Sequence, residues 1–272
     1  MATIDNKGTA LITGASTGIG AIYADRLAQR GYDLILVARN RERLNEVAKK
    51  VTDKTGRAIE VVKADLNKQA DVAQVETLLR RDASITMLVN NAGIGAAAPL
   101  LGSDIAQMAD LITLNIGTLT RLVYAAVPGF VQRGKGTIVN IASIAAIAPE
   151  LLNGVYGASK AFVLTLSRSL QHELSDKGVR VQAVLPGAIA TEFWDLAGMP
   201  IKNLPPEMVM TADHLVDAAL AGLDLGETVT IPSLPDAADW DAYEAARAAL
   251  LPGLSRIVPA KRYSVRNANK TS

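Results

Sequence analysis

The chain of 272 residues is 49% hydrophobic and carries 28 basic against 27 acidic side chains, a formal net charge of +1; it can bury the core of one large α/β domain, and its charge gives no reason to expect nucleic acid or an anionic membrane as partner. With no cysteine, and with His172 and His214 far apart, disulfides, thiolate chemistry and a typical zinc site are excluded and no metal is expected. Met1 to Lys7 lacks a signal-peptide pattern and no long uninterrupted apolar run follows, so a soluble cytoplasmic protein with a small-molecule ligand is expected.

Thr9 to Thr13 is a short β-compatible run that meets Gly14-Ala15-Ser16-Thr17-Gly18-Ile19-Gly20, and Ala21 to Gln29 then has helix composition before Gly31. Strand, glycine loop and helix form a phosphate-binding arrangement. The glycines admit close backbone approach, and the helix N-terminus offers unpaired N–H groups to an anion. The glycine spacing departs from the one-then-two fingerprint, so an ordinary βα turn remains open at this point.

Leu34 to Ala38 is continuously apolar, as in a strand buried on both faces, and it ends at Arg39. An acidic residue there would accept from a ribose 2′-hydroxyl, whereas an arginine suits a 2′-phosphate. Arg41 and Arg43 add charge nearby, Arg43 more simply as part of a solvated helical turn. Ile59 to Ala64 reads as a third strand ending at Asp65 and Leu66, and Ile85 to Asn90 as a fourth running into Asn91-Ala92-Gly93. Asp65 equally suits a helix N-cap, and Asn91 equally suits loop backbone.

Leu111 to Val131 carries a long helical pattern in which Asn115 is a polar intruder, able to bend the helix or bond to a neighbour. Thr137 to Ala142 is the next strand, ending at Ser143, which equally suits a turn hydroxyl. Tyr156 follows, with Lys160 four residues on, so a helix places both on one face. A phenol ionises near pKa ~10 and a nearby ammonium favours its anion, which makes Tyr156 the candidate general acid/base. Val179 to Leu185 forms a sixth strand, closed by Pro186-Gly187-Ala188-Ile189-Ala190-Thr191. The alternation predicts a doubly wound parallel sheet of about seven strands with helices on both faces and a crevice at the strands' carboxyl ends.

In this order the residues closely resemble the classical short-chain dehydrogenase/reductase family, over roughly Thr9 to Thr191. Thr13 to Gly20 is similar to the family's glycine motif, Asn90 to Gly93 to its Asn-Asn-Ala-Gly element, and Asn115, Ser143, Tyr156 and Lys160 to its catalytic tetrad. The resemblance implies a single Rossmann domain over 1–272, with a cofactor half at about 8–145, a catalytic and substrate half at about 146–235 and a C-terminal helix and tail at 236–272. It implies that Ser143 polarises a carbonyl, that Tyr156 exchanges a proton with it, that Lys160 lowers the phenol's pKa and binds the nicotinamide ribose, and that Asn115 holds a water. NADP(H) contacts are implied at Gly14, Ser16, Thr17, Gly18, Ile19, Gly20, Arg39, Asp65, Leu66, Asn91, Ala92, Gly93, Tyr156, Lys160, Pro186, Gly187, Ile189 and Thr191. Asp65 would lie near adenine, Asn91 near the adenosine ribose, and Ile189 and Thr191 on the carboxamide side. Thr17 departs from the basic residue often found before Gly18 in NADP-preferring members, which leaves 2′-phosphate recognition mainly to Arg39.

Beyond Thr191, the apolar Phe193, Trp194, Leu196 and Met199 suit either a lid over the carbonyl or packing on the body of the fold. Thr211 to Leu223 suggests a helix, Thr228 to Ile231 a seventh strand, and Asp236 to Leu250 an alanine-rich helix with Trp240 and Tyr243 that suits assembly or the pocket border. Arg266 to Ser272 is most simply disordered. The leading expectation is an NADP(H)-dependent carbonyl/alcohol oxidoreductase acting as a homodimer or homotetramer. An NAD(H)-dependent alcohol dehydrogenase and a non-catalytic nucleotide-sensing or scaffold protein are the alternatives, the intact tetrad arguing against the last.

Overall fold

The computed structural model describes residues 6–263. Strands β1 (Thr9–Thr13), β2 (Asp33–Ala38), β3 (Ile59–Lys63), β4 (Ile85–Asn90), β5 (Gly136–Ile141) and β6 (Val179–Val184) are joined by the short β7 (Ala188–Ile189) and β8 (Val209–Met210), which pair with each other, and by β9 (Val229–Thr230). The main sheet has seven parallel strands in the order β3-β2-β1-β4-β5-β6-β9. Chain order reverses between β1 and β4, the switch point at which such sheets open a crevice.

The apolar runs explain the layers. Every residue of β1 and of β5 is buried, which requires cover on both faces. Helices α1 (Gly18–Gln29) and α2 (Arg41–Thr55) pack together, and α3 (Gln69–Arg81), α4 (Ile105–Ile112), α5 (Leu119–Gln132), α6 (Gly154–Leu174), α7 (Phe193–Leu196) and α8 (Ala212–Leu225) follow. Ala10, Ile12, Leu34 and Leu36, alternate residues of β1 and β2, point to the α1, α2 and α8 side, while α3 and α5 pack on each other elsewhere. The period of two thus assigns each strand's side chains to its two layers.

The helical pattern expected from Leu111 to Val131 is interrupted. Between α4 and α5 the backbone widens into a π-helical turn, Thr113–Thr118, with Asn115 inside it. The whole stretch Ile105–Gln132 is long and apolar enough by length and composition to cross a membrane. Here it serves the core, with Leu111, Leu122, Val123, Ala126 and Phe130 fully or almost fully buried. The β7–β8 pair was not expected, because two-residue strands leave no periodic signal.

His172 lies in the last turn of α6, and the backbone N–H of His214 caps onto the Thr211 hydroxyl at 3.2 Å; both residues are exposed. Packing divides the chain between Ser233 and Leu234. In the second unit, α9 (Ala237–Ala249) starts at Asp236, which accepts from Ala238 N–H, and stacks Trp240 on Tyr243 with ring centroids 5.1 Å apart. The segment Arg266 to Ser272 lies outside the described residues.

Candidate active site

One cleft of about 790 Å³ runs along the carboxyl ends of the strands, within the roughly 300–1,000 Å³ of small-molecule sites. Gly14, Ser16, Thr17, Gly18 and Ile19 line one end of it. Thr17 is the N-cap of α1 but makes no side-chain cap bond, and the first turn holds no acidic residue. Its N–H groups therefore remain for an anion. Gly18 has φ +52°, and a Cβ there would stand 3.0 Å from the Thr191 methyl, so the loop is shaped as a cradle that a side chain would fill. A nicotinamide dinucleotide's pyrophosphate fits these features. Gly20 does not line the cleft; its Cβ would sit 2.3 Å from the Gly14 carbonyl. It is the close-packing glycine of the loop.

The neighbouring wall is cross-braced. Thr13 Oγ1 accepts from Asn91 N–H and Ala92 N–H, both at 3.0 Å, and the Asn91 amide nitrogen donates to the Thr13 and Gly14 carbonyls at 2.9 and 3.1 Å. Asn91 thus satisfies loop backbone while still lining the cleft with Ala92 and Gly93. Asp65 lines it too, but does not cap α3, whose N-cap is Lys68; its carboxylate accepts from Asn67 N–H at 3.2 Å. Leu66 is buried beside it, its carbonyl accepting from the Thr118 hydroxyl at 2.7 Å.

Arg39 follows β2, is exposed and lines the cleft. Among the described residues its guanidinium has no hydrogen-bond or ion-pair partner. Arg43, in the first turn of α2, differs: it pairs with Glu192 at 2.8 Å, and both residues line the cleft.

The four expected tetrad residues come from three places in the fold: the end of β5, the helix α6 and the π turn before α5. Ser143, just past β5, is 7% exposed, and its Oγ accepts from Ala145 N–H at 3.1 Å. Turn hydroxyl and site residue are the same group. Tyr156 and Lys160 share the inner face of α6, 5% and 7% exposed. The Lys160 ammonium donates to the Ile141 carbonyl at 2.8 Å and lies 5.8 Å from the Tyr156 ring centroid. Asn115 does not reach the cleft. Its Oδ1 accepts from Ile94 N–H at 3.0 Å, and its Nδ2 donates to the Ile94 carbonyl at 3.0 Å and to Ser159 Oγ at 3.2 Å. Gly93 separates its amide from Lys160: a Cβ there would stand 3.1 Å from Asn115 Oδ1 and 3.6 Å from Lys160 Nζ.

Burial governs the titration of the pair. It pushes the Tyr156 phenol up to about 12, opposed by hydrogen bonding to the neighbouring Ser143 hydroxyl, and it pulls Lys160 down to about 8. The expected lowering of the phenol by Lys160 is not what governs it here: desolvation disfavours both charged forms, and Ser143 alone opposes it at Tyr156.

The far end is apolar. Pro186, Gly187, Ile189 and Thr191 lead into it, and Ile144, Leu151, Leu152, Leu204 and Met208 complete it. Trp194 is 7% exposed and its indole N–H donates to the Ile189 carbonyl at 2.9 Å, while Leu196 is 75% exposed at the rim. Phe193 stands between, its ring centroid 5.9 Å from Tyr156 and 5.7 Å from Trp194. The segment therefore packs on the fold and lines the cleft. Sequence reasoning missed Gly95 and the residues from Ile144 to Leu152 and Leu204 to Met208. For Gly95 a signal existed, a second glycine two residues after the Asn-Asn-Ala-Gly element; isolated apolar residues in irregular loops carried none.

A family model described as short chain dehydrogenase matches residues 8–198, and the chain belongs to that family. A short-chain dehydrogenase from Sphingobium yanoikuyae, solved in complex with NADPH, is 50% identical, with 94% of this chain and 100% of that one covered at a TM-score of 0.91. The bulky-bulky ketone specific alcohol dehydrogenase from Comamonas testosteroni is 45% identical, with 95% and 99% covered and a TM-score of 0.88. The inactive hydroxysteroid dehydrogenase-like protein 1 of Homo sapiens is 34% identical over 186 residues, 68% of this chain and 56% of its own. The chain spans 56% to 66% of the length of the bird and primate relatives it matches.

Proposed function

We propose that the chain is an NADP(H)-dependent oxidoreductase that interconverts a bulky, mostly apolar ketone and its secondary alcohol. The observation that carries this reading is the convergence of Ser143, Tyr156 and Lys160 in one cleft, between a glycine loop edged by Arg39 and an apolar wall. The bulky-bulky ketone specificity of the Comamonas testosteroni alcohol dehydrogenase supports the substrate class, and the NADPH bound to the Sphingobium yanoikuyae enzyme supports the cofactor.

The glycine loop and the α1 N-terminus would hold the pyrophosphate, Arg39 the 2′-phosphate, and Lys160 the nicotinamide ribose. The nicotinamide supplies or accepts a hydride when bound. The chain's own residues manage the oxygen. In the reducing direction negative charge grows on the carbonyl oxygen, and the hydroxyls of Ser143 and Tyr156 donate to it. Tyr156 then transfers its proton, forming the alcohol O–H and leaving a phenolate that must be reprotonated. A phenol held at about 12 is protonated at neutral pH, the form reduction requires. Lys160, held at about 8, titrates close to neutrality and suits the return of that proton. Asn115, bonded to Ser159 and to both peptide groups of Ile94, fixes α6 against the Gly93 loop and so positions Lys160. The reading includes assembly as a homodimer or homotetramer, supported by Tyr124 of α5 and Phe162 of α6, which are 70% and 38% exposed.

The test is NADPH consumption with a panel of ketones. Wild type should reduce apolar ketones, and Tyr156→Phe should lose roughly 10²–10⁴-fold in kcat while binding NADPH with little change by fluorescence titration. Near-normal turnover in the variant would remove Tyr156 from the chemistry. For the cofactor, a charge-assisted bond of about 1.5–3 kcal/mol corresponds to roughly tenfold to hundredfold preference for NADPH over NADH, and Thr17 in place of a basic residue puts the expectation near the lower figure. Arg39→Asp should reverse it. Wild-type binding of NADH as tight as NADPH would hand the site to the NAD(H) reading.

A further inference from the structure

We infer that Phe193 is the wall that limits the size of one of the ketone's two substituents, and that Gly95 is without a side chain so that this wall can stand there. The inference rests on the ketone-reductase reading above.

The ring's position is unusually constrained. A Cβ built on Gly95 would stand 2.2, 2.8 and 2.9 Å from Phe193 Cζ, Cε2 and Cε1, all below the closest approach real Cβ atoms make. The three nearest atoms all belong to this ring, so its tip presses directly on the Gly95 backbone. From the other side the ring meets Tyr156 at 5.9 Å with a 53° tilt, and Trp194 edge-on at 5.7 Å. Trp194 is itself fixed by its bond to the Ile189 carbonyl. The two chain segments are also tied, the Ala97 N–H donating to the Ala197 carbonyl at 3.1 Å, at the far end of α7.

A carbonyl bonded to Ser143 and Tyr156 has two substituents that leave it in different directions. Phe193 packs in the same apolar cluster as Tyr156, Ile94, Ala145 and Leu152, so a substituent directed along that flank of the phenol meets the ring. With Gly95 behind it and Trp194 beside it, the ring cannot retreat into the fold. Space on this flank is set by Phe193 rather than by a flexible surface, and size discrimination of this kind is worth on the order of 10- to 200-fold. Residue 95 sits in the loop after β4 and residue 193 about a hundred positions later, so neither alone marks the contact.

The experiment measures kcat/KM with NADPH for an aryl methyl ketone and an aryl ketone bearing a second bulky group, in wild type, Phe193→Ala, Gly95→Ala and the double variant, with Tm recorded for each. Phe193→Ala should raise the bulky-to-methyl ratio at least tenfold. Gly95→Ala forces the ring toward Tyr156 and should lower kcat/KM for both ketones about tenfold or more. In the double variant the Gly95 effect should shrink to less than threefold, in activity and in Tm alike, because the ring it clashes with is gone. An unchanged ratio in a folded Phe193→Ala protein, or effects of the two substitutions that simply multiply, would overturn the inference while leaving ketone reduction standing. If wild type reduced neither ketone, the ketone-reductase reading itself would fall, and the Tm cycle would still report whether the two residues are coupled.

Discussion

The two walls of the cleft are built by different physics. On the cofactor side, Thr13, Gly14, Asn91 and Ala92 are locked by backbone-directed hydrogen bonds of 2.9–3.1 Å, and each bond prescribes a residue type. On the substrate side, from Thr191 to Met210, the chain is a four-residue helix, two 3₁₀ turns and a two-residue strand. The side chains it turns to the cleft, Phe193, Trp194, Leu196, Met199, Leu204 and Met208, are apolar, and Leu196 and Met208 remain 75% and 63% exposed. Hydrogen-bonded geometry admits few residues; apolar contact admits many. The first wall is suited to one fixed ligand and the second to a site that tolerates substitution.

That contrast is open to a direct break. Gly20→Ala would place a methyl 2.3 Å from the Gly14 carbonyl oxygen and 2.6 Å from the Asn91 amide nitrogen, which its bonds to the Thr13 and Gly14 carbonyls hold in place. It should cost about 3 kcal/mol of stability and abolish NADPH binding, measured by denaturant unfolding and fluorescence titration. Leu196→Ala, at the exposed rim, should change stability by less than about 0.5 kcal/mol and leave cofactor affinity as it was. Comparable losses in the two variants would show the walls to be equally rigid.

The same contrast explains what the sequence discloses. Leu34 to Ala38 had to be a buried strand because no half-exposed strand is apolar throughout, and Arg39 then had to stand at its carboxyl end. Tyr156 and Lys160 were legible because four residues is a helical spacing. Asn115 was legible as an intruder, yet the π turn that holds it was not, since a widened turn leaves composition untouched. Nor was the balance of the pair's titration, because burial from every side, not the spacing of two residues, sets it. The wall opposite Tyr156 was hidden for a related reason: Gly95 and Phe193 meet only in three dimensions, and the apolar residues at 144, 151, 204 and 208 follow no period.

Lys160, where the walls meet, gives an effect of middle size. Burial holds its pKa at about 8 instead of the ordinary 10.5. Between those values the unfolded chain binds the proton that the folded one has released, so this group's contribution to stability rises with pH across the window. From about pH 7.5 to about pH 10 wild type should gain on the order of 2 kcal/mol relative to Lys160→Met, read by urea denaturation at both pH values. Tyr156, raised to about 12 from 10.0, has the opposite sign: its contribution falls as pH rises above 10. Parallel pH profiles for wild type and Lys160→Met would mean that the ammonium is not buried at a cost.

The smallest effect lies at the mouth of the cleft, where Arg43 of the cofactor wall reaches Glu192 of the substrate wall at 2.8 Å. Both side chains are about half exposed, 47% and 59%, so the pair is worth at most about 1 kcal/mol. Its consequence is for charge rather than stability. Arg43 lines the same cleft edge as Arg39, but with Glu192 beside it the guanidinium is neutralised, leaving Arg39 as the unpaired cation there among the described residues. Glu192→Gln removes the carboxylate and keeps the shape, so a 2′-phosphate at Arg39 would meet a second free guanidinium. NADPH affinity should rise about two- to fivefold, the equivalent of at most about 1 kcal/mol, while NADH affinity stays constant. The gain should shrink as salt is raised, because exposed charges are screened over about 8 Å at physiological ionic strength. Titration of both cofactors at low and high salt separates this from a looser substrate wall, which would alter the two affinities together and independently of salt. An equal change for NADH and NADPH would place the 2′-phosphate away from Arg43 and leave the ion pair as a clasp between the walls.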